Sequence, residues 1–109
     1  MGRNGIGELE QLVLLALLRL GNDTYGGAVR RELARAAGRD VVLSTVYVTL
    51  MRLEEKGFVS SWMGEPTSKR GGKARRHFRV EPDGVAAARE ARDTLLRMWD
   101  GVDASSARA

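Results

Sequence analysis

Between Lys69 and Arg76 the chain places five cations, Lys69, Arg70, Lys73, Arg75 and Arg76, around the Gly71-Gly72 pair, with no acid among them. Their summed charge exceeds the net charge of +4 carried by the whole chain, so attraction for an anion is concentrated in one short segment. Clustered cations repel one another unless a polyanion relieves them, which points to nucleic-acid phosphates along this loop. Upstream, Ser44, Thr45, Val48 and Arg52 recur at helical spacing, with Tyr47 and Thr49 at the borders of the same face. The set comprises hydroxyls, an apolar group that suits a thymine methyl and a guanidinium that forks onto a guanine edge. The start of such a helix also offers free amides and a partial positive charge, while Glu54 and Glu55 lie towards its other end. The N-terminal half is therefore the end expected to meet double-stranded DNA. An ordinary solvated helix face also carries hydroxyls and an arginine, so the loop is the stronger of the two signals. His77, the single histidine, reads as a phosphate contact or a plain surface residue rather than a catalyst.

Other chemistry has little to work with. Cysteine is absent and histidine occurs once, so neither a disulfide framework nor a Cys/His metal site is expected. There is no Gly-x-Ser-x-Gly, no phosphate-binding P-loop and no obvious pair of working carboxylates, so an enzyme and a cofactor are not expected either. The apolar run Leu12 to Leu18 is far short of the roughly 20 residues that span a bilayer. With no leader-like N-terminal pattern, the expectation is a cytoplasmic protein without membrane contact.

The elements that must position these residues follow from periodicity. Residues 1–7 read as a flexible arm. A first helix runs from Glu8 to about Leu20, with Leu9, Leu12, Val13, Ala16 and Leu20 on one face and Gly21 just past its end. Leu14, Leu15, Leu17 and Leu18 make the same helix apolar almost all round. Two readings fit: a central helix wrapped by its neighbours, or a helix with one face on a second subunit, and the second is favoured. After the Asn22-Asp23-Thr24 turn, a second helix is expected from Tyr25 to Ala37, with Val29, Leu33, Ala36 and Ala37 inward and Arg30, Arg31 and Arg35 outward. Val41-Val42-Leu43 reads as a stub of strand. In the third helix, from Ser44-Thr45 to Lys56-Gly57, Val46, Leu50 and Leu53 form the core stripe. Two strands, Phe58 to Met63 and His77 to Val80, flank the basic loop, with Trp62 expected as partial core cover. A fourth helix starts at Pro82-Asp83-Gly84 and reaches about Asp100. Its Val85, Ala88, Leu95, Trp99 and Val102 form a heptad-like seam for a homodimer, interrupted by Arg92. Trp99 reads as dimer packing in preference to a ligand platform.

The implied fold is mainly α with a small β-hairpin: a winged helix-turn-helix over residues 8–81, a dimerisation helix over 82–101 and a frayed tail over 102–109. Several blocks resemble the PadR-type transcriptional regulators, specifically the short class with one helix after the wing. They are ELEQLVLLALLRL, Tyr25-Gly26, the Tyr47, Leu50, Leu53 and Gly57 pattern within STVYVTLMRLEEKGFV, and GGKARRHFRV followed by Pro82-Asp83-Gly84. The resemblance implies a homodimer that binds a near-palindromic operator as a repressor, joined through its first helix (Leu9, Leu12) and last helix. It also implies release by a small-molecule effector, often aromatic or cationic. Arg92 departs from the pattern: it points out of the interface, pairs with Glu90 or Asp93 across it, or lines a polar cavity. The competing reading is a winged-helix module that engages a protein partner without sequence-specific DNA binding.

Overall fold

In the computed structural model, which describes residues 5–65 and 74–102, the chain builds helices around a small sheet. The order is α1 (Glu8–Arg19), β1 (Thr24–Tyr25), α2 (Gly26–Ala37), α3 (Leu43–Glu55), β2 (Val59–Met63), β3 (Arg76–Val80) and α4 (Pro82–Trp99). The hairpin expected from the sequence is thus part of a three-stranded antiparallel sheet in the order β1-β3-β2. β1 pairs Thr24 with Phe78 and Tyr25 with His77, while β2 runs from Val59 opposite Val80 to Met63 opposite Arg76. Asn22 makes the third strand possible. It takes a left-handed backbone conformation after α1, and its side-chain amide bonds the N–H and C=O of Val80. The turn cluster therefore delivers Thr24 to the free edge of β3. Val41-Val42-Leu43 forms no strand; Val42 is the N-cap of α3 and Leu43 its first residue.

Each helix contributes a stripe to one core. α1 buries Val13, Leu14, Ala16 and Leu17, and α3 buries Val46, Thr49, Leu50 and Leu53 at the spacing of one helical face. Val29 and Leu33 of α2, and Val59, Phe78 and Val80 of the sheet, close the interior. The buried stripe of α1 is rotated from the expected one. Leu9 and Leu12 are half-buried against the core, whereas Leu15, Leu18 and Leu20 are exposed. On α2, Ala36 and Ala37 are exposed and Glu32 is buried in their stead. Glu32 accepts hydrogen bonds from Arg35 (2.6 Å) and Arg19 (2.7 Å), and these guanidinium partners pull its carboxyl down to about 2. Ile6 also packs on the core, and the Glu10 carboxylate accepts from the N–H of Gly7 and from Lys56 at the end of α3. The part of the expected N-terminal arm within the described residues is therefore attached to the body.

α4 joins the body through its first three turns. Gly84 is its sole buried residue, and Val85 and Ala88 are packed partly against the core. From Leu95 onward the helix is uncovered, with Leu95 55%, Met98 72% and Trp99 64% exposed. Arg92 lies on the solvent side and bonds Asp93 of its own helix at 2.9 Å. Among the described residues no helix is long and apolar enough to cross a membrane.

The approach of α4 to the residue before β2 leaves no room for a side chain at Gly84, where a Cβ would stand 2.2 Å from the carbonyl oxygen of Phe58. Gly84→Ala is expected to lower unfolding free energy by about 1–3 kcal/mol, the usual cost of overpacking. Urea denaturation followed by circular dichroism checks this, and an unchanged midpoint would show that α4 slides without cost.

Candidate nucleic-acid interface

The core stripe of α3 determines which residues the helix turns outward. With Val46, Leu50 and Leu53 fully buried, Ser44, Thr45, Val48, Met51 and Arg52 stand on the exposed side. Four of these belong to the set expected from the sequence; Met51 was not in it. Two expected members face the other way. Thr49 is buried, and its hydroxyl donates to the carbonyl of Thr45 at 2.8 Å, a common use of threonine inside a helix. Tyr47 is half-buried, with its ring 6.2 Å from that of Phe78 and wedged against Gly26, where a Cβ would lie 2.6 Å from the phenol carbon Cζ. Both residues therefore help to hold α3 in place, and Thr49 also borders the cleft between α3 and the first turn of α1. Thr45 and Arg52 border a cleft of about 450 Å³ against the first turn of α1, which Leu9 and Glu10 help to line.

The sheet sorts the basic residues by parity. Phe78 and Val80 point into the core, so Arg76 lies on the same side as they do, and Arg75, His77 and Arg79 on the opposite side. Arg76 donates to the hydroxyl of Ser61 at 2.9 Å, and Ser61 donates in turn to the Glu54 carboxylate at 2.8 Å. This relay joins the root of the wing to the end of α3. On the outer side, cross-strand partners Tyr25, His77 and Trp62 form one row. His77 stacks on Trp62 (centroids 5.8 Å apart, planes 19° apart) and meets Tyr25 edge-on at 6.4 Å. Trp62 is thus a cover for the outer face and not for the core. The His77 Nδ1 is 3.3 Å from the Asp23 carboxylate. Arg75 lies 4.2 Å over the ring of Tyr25, and Arg79 lies 4.9 Å over that of Trp62. Lys69, Arg70 and Lys73 fall outside the described residues.

Sequence reasoning passed over Met51, Arg79 and the outer row. Met51 follows Val48 by three residues, a spacing that places the two side by side on a helix. The row depends on the pairing of β1 with β3, which two residues cannot announce. The residues of the seam expected for a second subunit differ in exposure within this chain. Val85 and Ala88 are engaged with the chain's own core, while Leu15 and Leu18 of α1 and Leu95, Leu96, Met98 and Trp99 of α4 are uncovered, as is Val102 beyond it.

Three helices with an outward polar face on the third, backed by a small sheet whose last two strands frame a basic loop, define a winged helix-turn-helix protein. The model of the transcriptional regulator PadR-like family matches residues 14–90, most of the described fold. A PadR family regulator from Eggerthella lenta is 31% identical, covering 87% of this chain and 82% of its own, with a TM-score of 0.68. The chain belongs to the PadR-like family and is a DNA-binding transcriptional regulator. The same fold appears in a transcriptional regulator from Clostridium thermocellum at 21% identity and TM-score 0.71, covering 84% of this chain and 86% of its own. It appears again in a PadR family regulator from Clostridium difficile at 21% identity and TM-score 0.70, covering 88% and 94%. Among curated proteins none matches the chain significantly.

The cations at the sheet edge act on Tyr25. Arg31 donates to its hydroxyl at 2.9 Å, and together with Arg75 it holds the phenol below its ordinary range. Arg31→Ala is expected to let the Tyr25 phenol rise towards that range. Spectrophotometric titration of the two tyrosines in parent and variant would show it, and coincident curves would mean that the Arg31 contact is not kept in solution.

Proposed function

We propose that this regulator is a homodimeric repressor that binds a near-palindromic operator, reading bases with α3 and holding flanking phosphates with the wing. The observation that carries this reading is the exposed face of α3. Ser44, Thr45, Val48 and Arg52 are all uncovered, while the remaining sides of the helix are packed against α1, α2 and the sheet. Arg52 and Arg75 have no carboxylate within ion-pair distance among the described residues, and a phosphate or a guanine edge would complete them. Arg76 is held on the α3 side of the sheet. Lys69, Arg70 and Lys73 are assigned to the same phosphate-binding wing from their charge, and His77 to its root.

The second copy is assigned to the apolar residues that this chain leaves uncovered. Leu95 and Trp99 on α4, with Leu15 and Leu18 on α1, form the self-complementary surface that a two-fold dimer needs, and Val102 extends it. Two-fold symmetry then spaces the half-sites by about one helical turn, roughly 10 bp. Release is assigned to a small-molecule effector at this interface. A groove of about 690 Å³ beside α4, bordered by Ala87, Ala91 and the carboxylates of Asp83 and Glu90, supports that placement.

Anisotropy titrations of operator and random duplex over a range of salt concentrations test the division of labour. Arg52→Ala is expected to cost about 1–3 kcal/mol at particular base pairs. Arg75→Ala is expected to weaken all duplexes alike and to reduce the salt slope by about one. A uniform loss from Arg52→Ala would move that residue to the phosphate contacts. For the dimer, Trp99→Ala is expected to shift sedimentation towards monomer, and an unchanged dimer would remove the end of α4 from the interface.

A further inference from the structure

Two large apolar side chains stand uncovered in the middle of the face that α3 turns outward. Val48 and Met51 are each 50% exposed, and neither belongs to the core or to the apolar residues packed against it. At about 100° per residue, Val48 lies at the centre of the exposed arc, with Thr45 and Arg52 on one flank and Met51 on the other. Thr45, Val48 and Arg52 border the cleft beside α1, and Met51 does not. The flank of Met51 is the one that continues to Tyr47 and Glu54, and so to the sheet. The face therefore has a polar side at Thr45 and Arg52 and an apolar side at Val48 and Met51, where the Ser44 hydroxyl lies a turn nearer the start of the helix and the Glu55 carboxylate a turn nearer its end.

In a major groove the apolar feature available to such a side is the methyl group at C5 of a pyrimidine, carried by thymine and by 5-methylcytosine. The geometry points to a pyrimidine C5-methyl receptor formed by Val48 and Met51, beside the hydrogen-bonding side formed by Thr45 and Arg52. This rests on the proposal that α3 enters the groove, and it specifies what the helix selects there. Val48 is stiff at χ1 and offers a fixed branched surface, whereas Met51 is unbranched and polarizable and adapts to the neighbouring base step. Two such groups left in water gain nothing; against methyl groups both become covered.

The test starts from duplexes that the full chain enriches from a random library. In the enriched duplex, thymines are replaced one at a time by uracil, which removes the C5-methyl and keeps every hydrogen-bonding group. Affinity is expected to fall about fourfold at one or two positions per half-site, the equivalent of about 0.8 kcal/mol for each methyl covered. The Val48→Ala, Met51→Ala double variant is expected to bind the thymine and uracil duplexes equally, whereas Thr45→Val keeps the difference. Both double-variant positions are exposed, so circular dichroism is expected to match the parent. Placing 5-methylcytosine for cytosine at a sensitive position of an otherwise cytosine-substituted duplex separates the two sources of the methyl: recovery of affinity supports recognition of the methyl itself. Uracil duplexes bound as tightly as thymine duplexes, or a methyl preference that survives in the double variant, would overturn the assignment while leaving groove entry intact. Failure to enrich any sequence would overturn groove entry and the receptor together.

Discussion

The interior position of Phe78 is the constraint from which the rest of the arrangement follows. It is fully buried on the central strand, opposite Thr24 on one side and Ser61 on the other, and its ring meets Tyr47 of α3. Tyr47 in turn closes on Gly26 at the start of α2, where only hydrogen fits. Sheet, third helix and second helix are thereby stacked through two consecutive contacts. Covering one such aromatic side chain is worth about 1.5–3 kcal/mol, a large part of the margin of a domain this size. The direction in which α3 presents its outer face is thus set from inside the fold and does not depend on the groups that face solvent.

Electrostatics follows the same division. Three acids of α1 and α2 are engaged with nearby cations: Glu8 with Arg39, Glu10 with Lys56, and Glu32 with Arg19 and Arg35. Pairs exposed to this degree add little stability one by one. Their larger effect is on what remains. Arg52, Arg75 and Arg79 have no carboxylate within ion-pair distance among the described residues, and two of the three lie on aromatic rings instead. These cations remain available at the outer side of α3 and of the sheet.

Much of this could be read from residues alone, for reasons that also explain what could not. α3 was legible because Val46, Leu50 and Leu53 repeat at helical spacing, and that repeat fixes the opposite side as well. α4 was legible at its start from Pro82 and at its end from the loss of pattern. α1 was not, because a helix apolar nearly all round contains no signal for which side is covered; only its neighbours decide that Leu14 is buried and Leu15 is not. β1 is two residues long, too short for any alternation to register. Thr49 and Glu32 have polar side chains in buried positions because of partners in the folded chain, the carbonyl of Thr45 and the guanidinium groups of Arg19 and Arg35. Polarity alone pointed Thr49 outward, and nothing in the sequence singled out Glu32 for the interior.

The relay from Arg76 through Ser61 to Glu54 has a mechanical consequence. It fastens the root of the wing to the last turn of α3 at a point where a hinge would otherwise be natural. The end of α3 and the strands at the root of the wing are then held together, and on the proposed reading the distance between their contacts on a duplex is a property of the protein. On the proposed reading, a site whose groove width or bend does not suit that distance must be deformed to fit. Stiff and pliant base steps would then be sorted by the work of bending them, at positions that no side chain touches.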